Sequence, residues 1–168
     1  MEVLEIYLKL LLFALIPVAA SIGFYFLNKQ KTFNKIPYIW KQIIIGIVFG
    51  GIAIIGTEFG VNVQGTPANV RDAAPLCAGL IFGGPAGIIA GSIGGIERVL
   101  TTVITGRFQY SVVACSVSTV LAGVYAALIR RFLFERKRPS WGFGFASGLI
   151  MEVIHLTILL MTKMDDTA

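Results

Sequence analysis

Residues 83–103 read GGPAGIIAGSIGGIERVLTTV, a stretch in which only Glu97 and Arg98 are ionisable. Its length approaches the roughly 20 residues that a helix needs to cross a bilayer. Its glycines recur at spacings of three to four residues and so fall on one helix face, where missing side chains let another helix approach closely. The sequence therefore predicts a membrane-spanning helix with one glycine-rich face.

Similar apolar runs occur along the whole chain and predict about six spans. These spans cover residues 8–27, 41–58, 67–83, 85–103, 110–133 and 140–162. The composition agrees: 56% of the 168 residues are hydrophobic and 14% are charged, against roughly a quarter charged in soluble domains. We predict an all-α fold, a polytopic bundle of transmembrane helices. The third span is marginal, because its helix can begin after Pro67 or even near Pro75, leaving irregular backbone at its outer end.

Basic residues concentrate in two links between spans. The link 28–41 holds four lysines and the link 130–138 holds five lysines and arginines. Both are expected to be cytoplasmic, and the even number of spans between them puts both on the same side. The links 59–70 and 104–110 then face outward. The net charge is +5, and its lysines and arginines are concentrated in these links, which predicts membrane topology and not nucleic-acid binding.

The glycine face has two interpretations. Five of its residues are Gly83, Gly84, Gly87, Gly91 and Gly95. They could form a dimer interface, or they could pack the fourth span against other helices of the same chain, the alternative that we favour. Because proline suits the first turn of a helix, the Gly83-Gly84-Pro85 triplet also predicts a tight turn on the cytoplasmic side.

Ionisable residues at membrane depth are costly and therefore point to function. With the orientation above, Arg71 lies near the outer start of span three and Arg98 about one turn from the outer end of span four. Cys115 and Ser118 lie one to two turns below the outer start of span five. Two arginines with a thiol and a hydroxyl at one depth predict a pocket for a small anion, open to the outside.

Each of these residues also has a structural interpretation. Arg98 could pair with Glu97 or extend to the outer headgroups, and Arg71 could be an interfacial anchor. Cys115 could be a small buried hydrophobe. Glu152 and His155 lie one turn apart on span six and could form an interhelical hydrogen-bond pair or take part in signalling.

Motifs of enzymes and metal sites are missing from the sequence. It contains no GxSxG, HExxH, Walker or strand-associated GxGxxG pattern. Cys77 and Cys115, its two cysteines, do not have the spacing of metal ligands. We expect this chain to have no enzymatic activity of its own, no metal and no cofactor.

A long motif connects the chain to a known family. The segments that carry it are NVR at residues 69–71, AGLIFGGPAG at residues 78–87, Gly91, Gly95 and Glu97-Arg98. Together they resemble the LytS-type five-transmembrane receptor family. The segments STVLAG at 118–123 and GLIMEVIH at 148–155 are similar to the family's fifth and sixth spans.

The resemblance implies a multi-pass sensor in the bacterial cytoplasmic (inner) membrane that passes a signal to cytoplasmic domains. In the family these include a GAF domain with a two-component histidine kinase, or less often a diguanylate cyclase, acting as a homodimer on a LytTR-type response regulator. Such systems control cell-wall turnover or the uptake of small carboxylates. Resemblance to pyruvate-sensing members implies a ligand site at Arg71, Arg98, Cys115 and Ser118, with Asn69 in the shared motif.

The domain organisation follows from the same comparison. We expect a first helix and basic link at 1–39, the sensor domain at 40–162 and a short extracytoplasmic end at 163–168. Relatives of this type have a further span before their effector domains, so we expect the chain to be truncated there.

Two other functions remain open. The first is a membrane transporter, or the substrate-binding S component of an energy-coupling transporter, which would have the same outward pocket. S components usually carry AxxxA in the first helix, whereas Ala14, Ala19 and Ala20 do not give this spacing. The second is an assembly helper that binds no ligand.

Overall fold

The chain folds as a bundle of helices. The computed structural model describes residues 3–30, 33, 35–58, 60–63, 66–68, 70–106 and 111–165. Within this part of the chain, five helices are long and apolar enough to cross a membrane. They are α1 (Val3–Leu27), α2 (Tyr38–Glu58), α4 (Gly84–Thr105), α5 (Val112–Phe132) and α6 (Trp141–Asp165). The prediction of an all-α membrane bundle is confirmed.

The third predicted span is shorter than the others. A hairpin of two antiparallel strands, β1 (Val61–Val63) and β2 (Thr66–Ala68), precedes the helix and includes the first two residues of the predicted span. Helix α3 (Ala73–Cys77) follows and continues as a π-helical segment, Ala78–Phe82. Together these two segments form an apolar helix too short to cross a bilayer alone. The helix begins at Ala73, between the two predicted starting points, Pro67 and Pro75. Pro75 fits there because it lies in the first helical turn, where a backbone N–H has no partner within the helix.

The predicted turn occurs between the π-helical segment and α4, and Gln42 of α2 holds it in place. The buried Gln42 side chain donates from Nε2 to the Phe82 carbonyl at 3.1 Å. Its Oε1 accepts from the backbone N–H of Ala86 at 3.2 Å. One side chain thus satisfies a free carbonyl of one helix and a free N–H of the next. A β-carbon on Gly83 would collide with this amide, so only glycine fits there.

Helix α4 is the centre of the bundle. It packs against α2 on one side and α5 on the other, and the π-helical segment also contacts it. It ends at Gly106, which has a left-handed conformation (φ 67°) and donates its N–H to the Thr102 carbonyl at 2.9 Å. Glycine is the residue that reaches this conformation without strain.

Helices α1 and α6 lie at the periphery. Helix α1 packs against α2 and α3, partly through Phe24, whose ring lies 6.1 Å from that of Phe49 and 5.9 Å from that of Phe82. Helix α6 packs against α5 and α3. Both carry many large apolar side chains that the rest of the chain does not cover, such as Leu11 and Leu160. Such surfaces are stable in lipid, which solvates apolar side chains.

Candidate functional site

Arg71 joins α3 to the two neighbouring long helices. Its side chain is 1% exposed. It donates from Nε to Thr119 Oγ1 at 2.7 Å and from Nη2 to the Cys115 carbonyl at 2.6 Å, both on α5. It also donates from Nη1 to Thr57 Oγ1 near the end of α2, at 3.3 Å. The arginine is therefore held within the bundle and does not extend to the headgroups.

Asp72 supplies the negative charge next to this arginine. Its Oδ1 lies 3.7 Å from Arg71 Nε and accepts from Thr119 Oγ1 at 2.6 Å. Its Oδ2 accepts from Ser118 Oγ and lies 3.0 Å from Nδ1 of His155. One carboxylate thus connects α3, α5 and α6, and a buried charge persists only with such partners.

Arg98 approaches the same centre from α4 and is completely buried. Its Nη2 donates to Ser111 Oγ at 2.9 Å and to Cys115 Sγ at 3.7 Å. The thiol in turn lies 3.5 Å from His155 Nε2. Complete burial excludes the interpretation in which Arg98 extends to the outer headgroups. Cys115 is therefore the meeting point: its carbonyl accepts from Arg71 and its thiol from Arg98.

The charge of this cluster favours an anion. Arg71 and Arg98 carry two positive charges, and Asp72 carries one negative charge. A guanidinium in a medium of low dielectric gains much from a carboxylate partner, and its planar fork matches the two carboxylate oxygens. Within the described residues no group of His, Cys, Asp and Glu could hold a metal ion. The two guanidinium groups are thus suited to bind a small carboxylate.

Other predicted site residues lie at varying distances from this centre. Ser118 donates to Asp72 and contacts the cluster through that carboxylate. Glu97 accepts from Thr101 Oγ1 at 2.6 Å on α4. Glu152 is exposed on α6, one turn from His155, which itself faces the cluster. Asn69 lies outside the described residues.

The glycine face of α4 packs within the chain. A β-carbon on Gly91 would lie 2.7 Å from the Thr119 carbonyl oxygen, and one on Gly95 would lie 2.7 Å from Val120 Cγ2, both on α5. One on Gly87 would lie 2.7 Å from Gly79 Cα, and one on Gly84 would lie 2.9 Å from Ala127 Cβ. This geometry corresponds to the intramolecular alternative, and it brings Arg98 close to α5.

Several residues of the cluster were not predicted from the sequence. They are Asp72, Thr57, Thr119 and Ser111. Asp72 follows Arg71 directly, and an acid next to an arginine at membrane depth was an available signal. The three hydroxyl residues carry no such signal, because threonine and serine are common in membrane helices and often bond to their own backbone.

Comparison with known proteins gives the family. The family model described as "5TMR of 5TMR-LYT" matches residues 24–168, which is most of the chain. The chain belongs to the 5TMR-LYT family. This agrees with the resemblance that the motif from Asn69 to Arg98 indicated. The 5TMR-LYT match includes α2 to α6 and therefore every residue of the cluster. No solved structure matches the chain.

Two curated proteins of Escherichia coli (strain K12) are similar to this 5TMR-LYT chain. Sensor histidine kinase YpdA is 28% identical over 133 residues, which cover 79% of this chain and 22% of that protein. Sensor histidine kinase BtsS is 28% identical over 118 residues, which cover 68% of this chain and 20% of that protein. The chain thus spans about a fifth of the length of the curated relatives it matches.

Proposed function

We propose that this chain is the membrane sensor domain of a sensor histidine kinase and that it binds a small carboxylate such as pyruvate. The ligand would enter from the outer face of the bacterial cytoplasmic membrane. Family membership and the names of the two relatives support the sensor-kinase part of the proposal. Phosphorylation of a response regulator would be the task of cytoplasmic domains of a longer protein, acting as a homodimer.

The convergence of Arg71 and Arg98 on Cys115 carries the ligand part of the proposal. Both guanidinium groups are buried, and both donate to atoms of this one residue. A carboxylate between them would give both guanidinium groups an anionic partner in place of neutral acceptors and so add an ion pair to the hydrogen bonds. Ser111 and the thiol would offer contacts to the rest of a small ligand.

The same geometry suggests how binding becomes a signal. A ligand shifts a conformational equilibrium only by the difference in its affinity for the two states. A carboxylate that draws Arg71 and Arg98 together would move α3 relative to α4. Since Asp72 also bonds to His155, the movement would reach α6, the helix next in the chain toward any effector. This coupling is part of the proposal.

Ligand-dependent thermal stability tests the proposal. The full chain, purified in a neutral detergent, would be heated with pyruvate and, separately, with acetone, a neutral molecule that lacks the carboxylate. A ligand that binds only the native state stabilises it by mass action, by about 2.7 kcal/mol at a concentration 100 times its Kd. We expect stabilisation by pyruvate and none by acetone.

Two variants make the test specific. Arg98→Gln removes one of the two positive charges of the site and should abolish the stabilisation by pyruvate. Arg131→Gln removes an exposed charge at the other end of the bundle and should preserve it. Equal stabilisation of both variants would refute the ligand assignment. Pyruvate uptake by proteoliposomes containing the protein would support the transporter alternative instead.

A further inference from the structure

A second polar site lies at the opposite end of the bundle from the carboxylate cluster, the group formed by Arg71, Asp72, Arg98, Cys115 and His155. Here a cavity of about 600 Å³ opens between the N-terminal end of α4 and the C-terminal end of α5. Its lining includes three arginines, Arg130, Arg131 and Arg136. The rest of the lining consists of Tyr38, the turn 83–85, Ile88 and Ala127.

The three arginines bring positive charge to the cavity. Within the described part of the chain, none of the three lies within salt-bridge distance of an acidic side chain. Arg130 is fixed, because its Nη1 donates to the carbonyl of Leu80 in the π-helical segment at 3.0 Å. Arg131 and Arg136 are exposed. The positive N-terminal end of the α4 dipole adds to the same potential.

The turn after α5 holds Arg136 over the cavity. Arg136 donates its backbone N–H to the Arg130 carbonyl at 2.7 Å, and Arg130 Nε donates to the Arg136 carbonyl at 3.2 Å. This folded-back geometry places Glu135 and Arg136 at positive φ (47° and 68°), which costs free energy for residues other than glycine. A turn that keeps two residues in this conformation is a defined structure and not a freely solvated loop.

The cavity has a charged end and an apolar end, arranged along the membrane normal like the headgroup and acyl chains of a lipid. Its arginines lie at the level of the basic links, where the headgroups of the cytoplasmic leaflet would be. Its apolar part, Ile88 and Ala127, lies deeper along α4 and α5, and Ile88 is exposed toward the bilayer. Basic pockets between membrane helices at this depth suit a phosphate headgroup.

We propose that this cavity, the basic cavity, binds the phosphate headgroup of one anionic phospholipid of the cytoplasmic leaflet. Arg131 and Arg136 bind the phosphate, and an acyl chain follows the groove past Ile88. The lipid thereby connects the turn after α5 with the start of α4. The site is separate from the carboxylate cluster, so the proposal does not depend on pyruvate binding.

Native mass spectrometry of the full chain tests this assignment. Protein in neutral detergent would be titrated with phosphatidylglycerol or with phosphatidylcholine, and the number of retained lipids counted. An arginine that pairs directly with the phosphate contributes roughly fivefold in affinity, about 1 kcal/mol, through charge-assisted hydrogen bonds that a residue outside the cavity does not make. We expect one phosphatidylglycerol to be preferred over phosphatidylcholine, with about fivefold weaker retention in Arg131→Gln and in Arg136→Gln.

The matched control is Lys137→Gln, which removes the same charge from the same turn outside the lining of the cavity. It should change retention by less than about twofold. Thermal unfolding of each variant without added lipid shows whether the fold is intact. Arg130 is left unchanged, because it caps the π-helical segment.

Three results would overturn the proposal. The first is equal retention of the two lipids by the wild type. The second is an equal loss in Lys137→Gln and Arg136→Gln, which indicates diffuse surface attraction. In the third, inorganic phosphate stabilises the wild type but not Arg136→Gln, whereas phosphatidylglycerol is not preferred. That result would assign the cavity to a soluble phosphate compound.

Discussion

Asp72 is the residue on which the carboxylate cluster depends most. It is the carboxylate that contacts Arg71, and it also accepts from Ser118 and Thr119 of α5. Its removal would take a carboxylate partner from the buried guanidinium of Arg71. Removing one member of a buried pair costs more than the intact pair contributes, because the remaining charge stays in a medium of low dielectric with less compensation.

We therefore predict that Asp72→Asn lowers the free energy of unfolding by about 3 kcal/mol. Denaturant titration of the purified chain in detergent would measure it. The control is Glu152→Gln, which neutralises an exposed carboxylate on α6 and should change stability by less than about 0.5 kcal/mol. Similar unfolding of the two variants would contradict the role given to Asp72.

At this scale the sequence predicted the cations but not their partners. Arg71 and Arg98 are predictable from the sequence because an ionisable group at membrane depth is rare. The orientation derived from the two basic links places both side chains at the same depth in the membrane. Asp72 was missed because an Arg-Asp pair near a span end is also what an interfacial anchor looks like. The hydrogen bond from Arg71 to Thr119 joins residues 48 positions apart in the sequence. A local sequence pattern cannot predict a contact between residues so far apart.

Among the elements, α4 shows most clearly how sequence determines packing. Its glycines let the backbone of α5 approach to within contact. Membrane helices associate through such close packing and hydrogen bonds, since lipid provides no hydrophobic driving force between them. This close approach is what brings Arg98 next to Cys115.

A methyl group added at this contact should therefore be destabilising. We predict that Gly91→Ala lowers the free energy of unfolding by about 1–3 kcal/mol, because its β-carbon would lie 2.7 Å from the Thr119 carbonyl oxygen. The control is Gly51→Ala on α2, where no atom lies within 4 Å of the added carbon. Alanine there should be neutral or stabilising by up to about 1 kcal/mol.

The measurement is again denaturant unfolding in detergent, combined with the oligomeric state by light scattering. Loss of stability in Gly91→Ala with an unchanged oligomeric state agrees with packing inside one chain. If Gly91→Ala instead dissociates a dimer without changing the stability of the monomer, the glycine face is an interface between copies.

The third segment shows where hydropathy is insufficient. Residues 67–83 are apolar enough to suggest a span, yet the helix occupies only Ala73–Phe82 and is preceded by a hairpin. Its π-helical part depends on tertiary partners, namely Arg130 at the Leu80 carbonyl and Gln42 at the Phe82 carbonyl. Neither partner is close in sequence, so composition could not predict this geometry.

For the whole molecule, the charge distribution predicts a single orientation. Both basic links should lie on the cytoplasmic side, with the end of α4 outside. We predict that Lys35→Cys and Lys137→Cys are protected from an impermeant maleimide in intact bacterial cells, whereas Thr105→Cys is labelled. The experiment uses a background in which Cys77 and Cys115 are replaced by alanine. Labelling of Lys35→Cys and Lys137→Cys from opposite sides would refute this topology.

The two ends of the bundle have different roles in the proposals above. The carboxylate cluster would face outward and detect a solute, and the basic cavity would face the cytoplasmic leaflet. Helix α6 contacts the cluster through His155. In the proposed function, a change at the cluster would therefore reach α6.

Calorimetric titration of the full chain with pyruvate tests the central claim most directly. We predict saturable binding to the wild type, no detectable binding to the Arg71→Ala, Arg98→Ala double variant and unchanged binding to Arg131→Ala. Circular dichroism of the double variant would verify that its helices are retained. Pyruvate binding of equal affinity in the double variant would contradict the assignment of the two buried arginines as the carboxylate site.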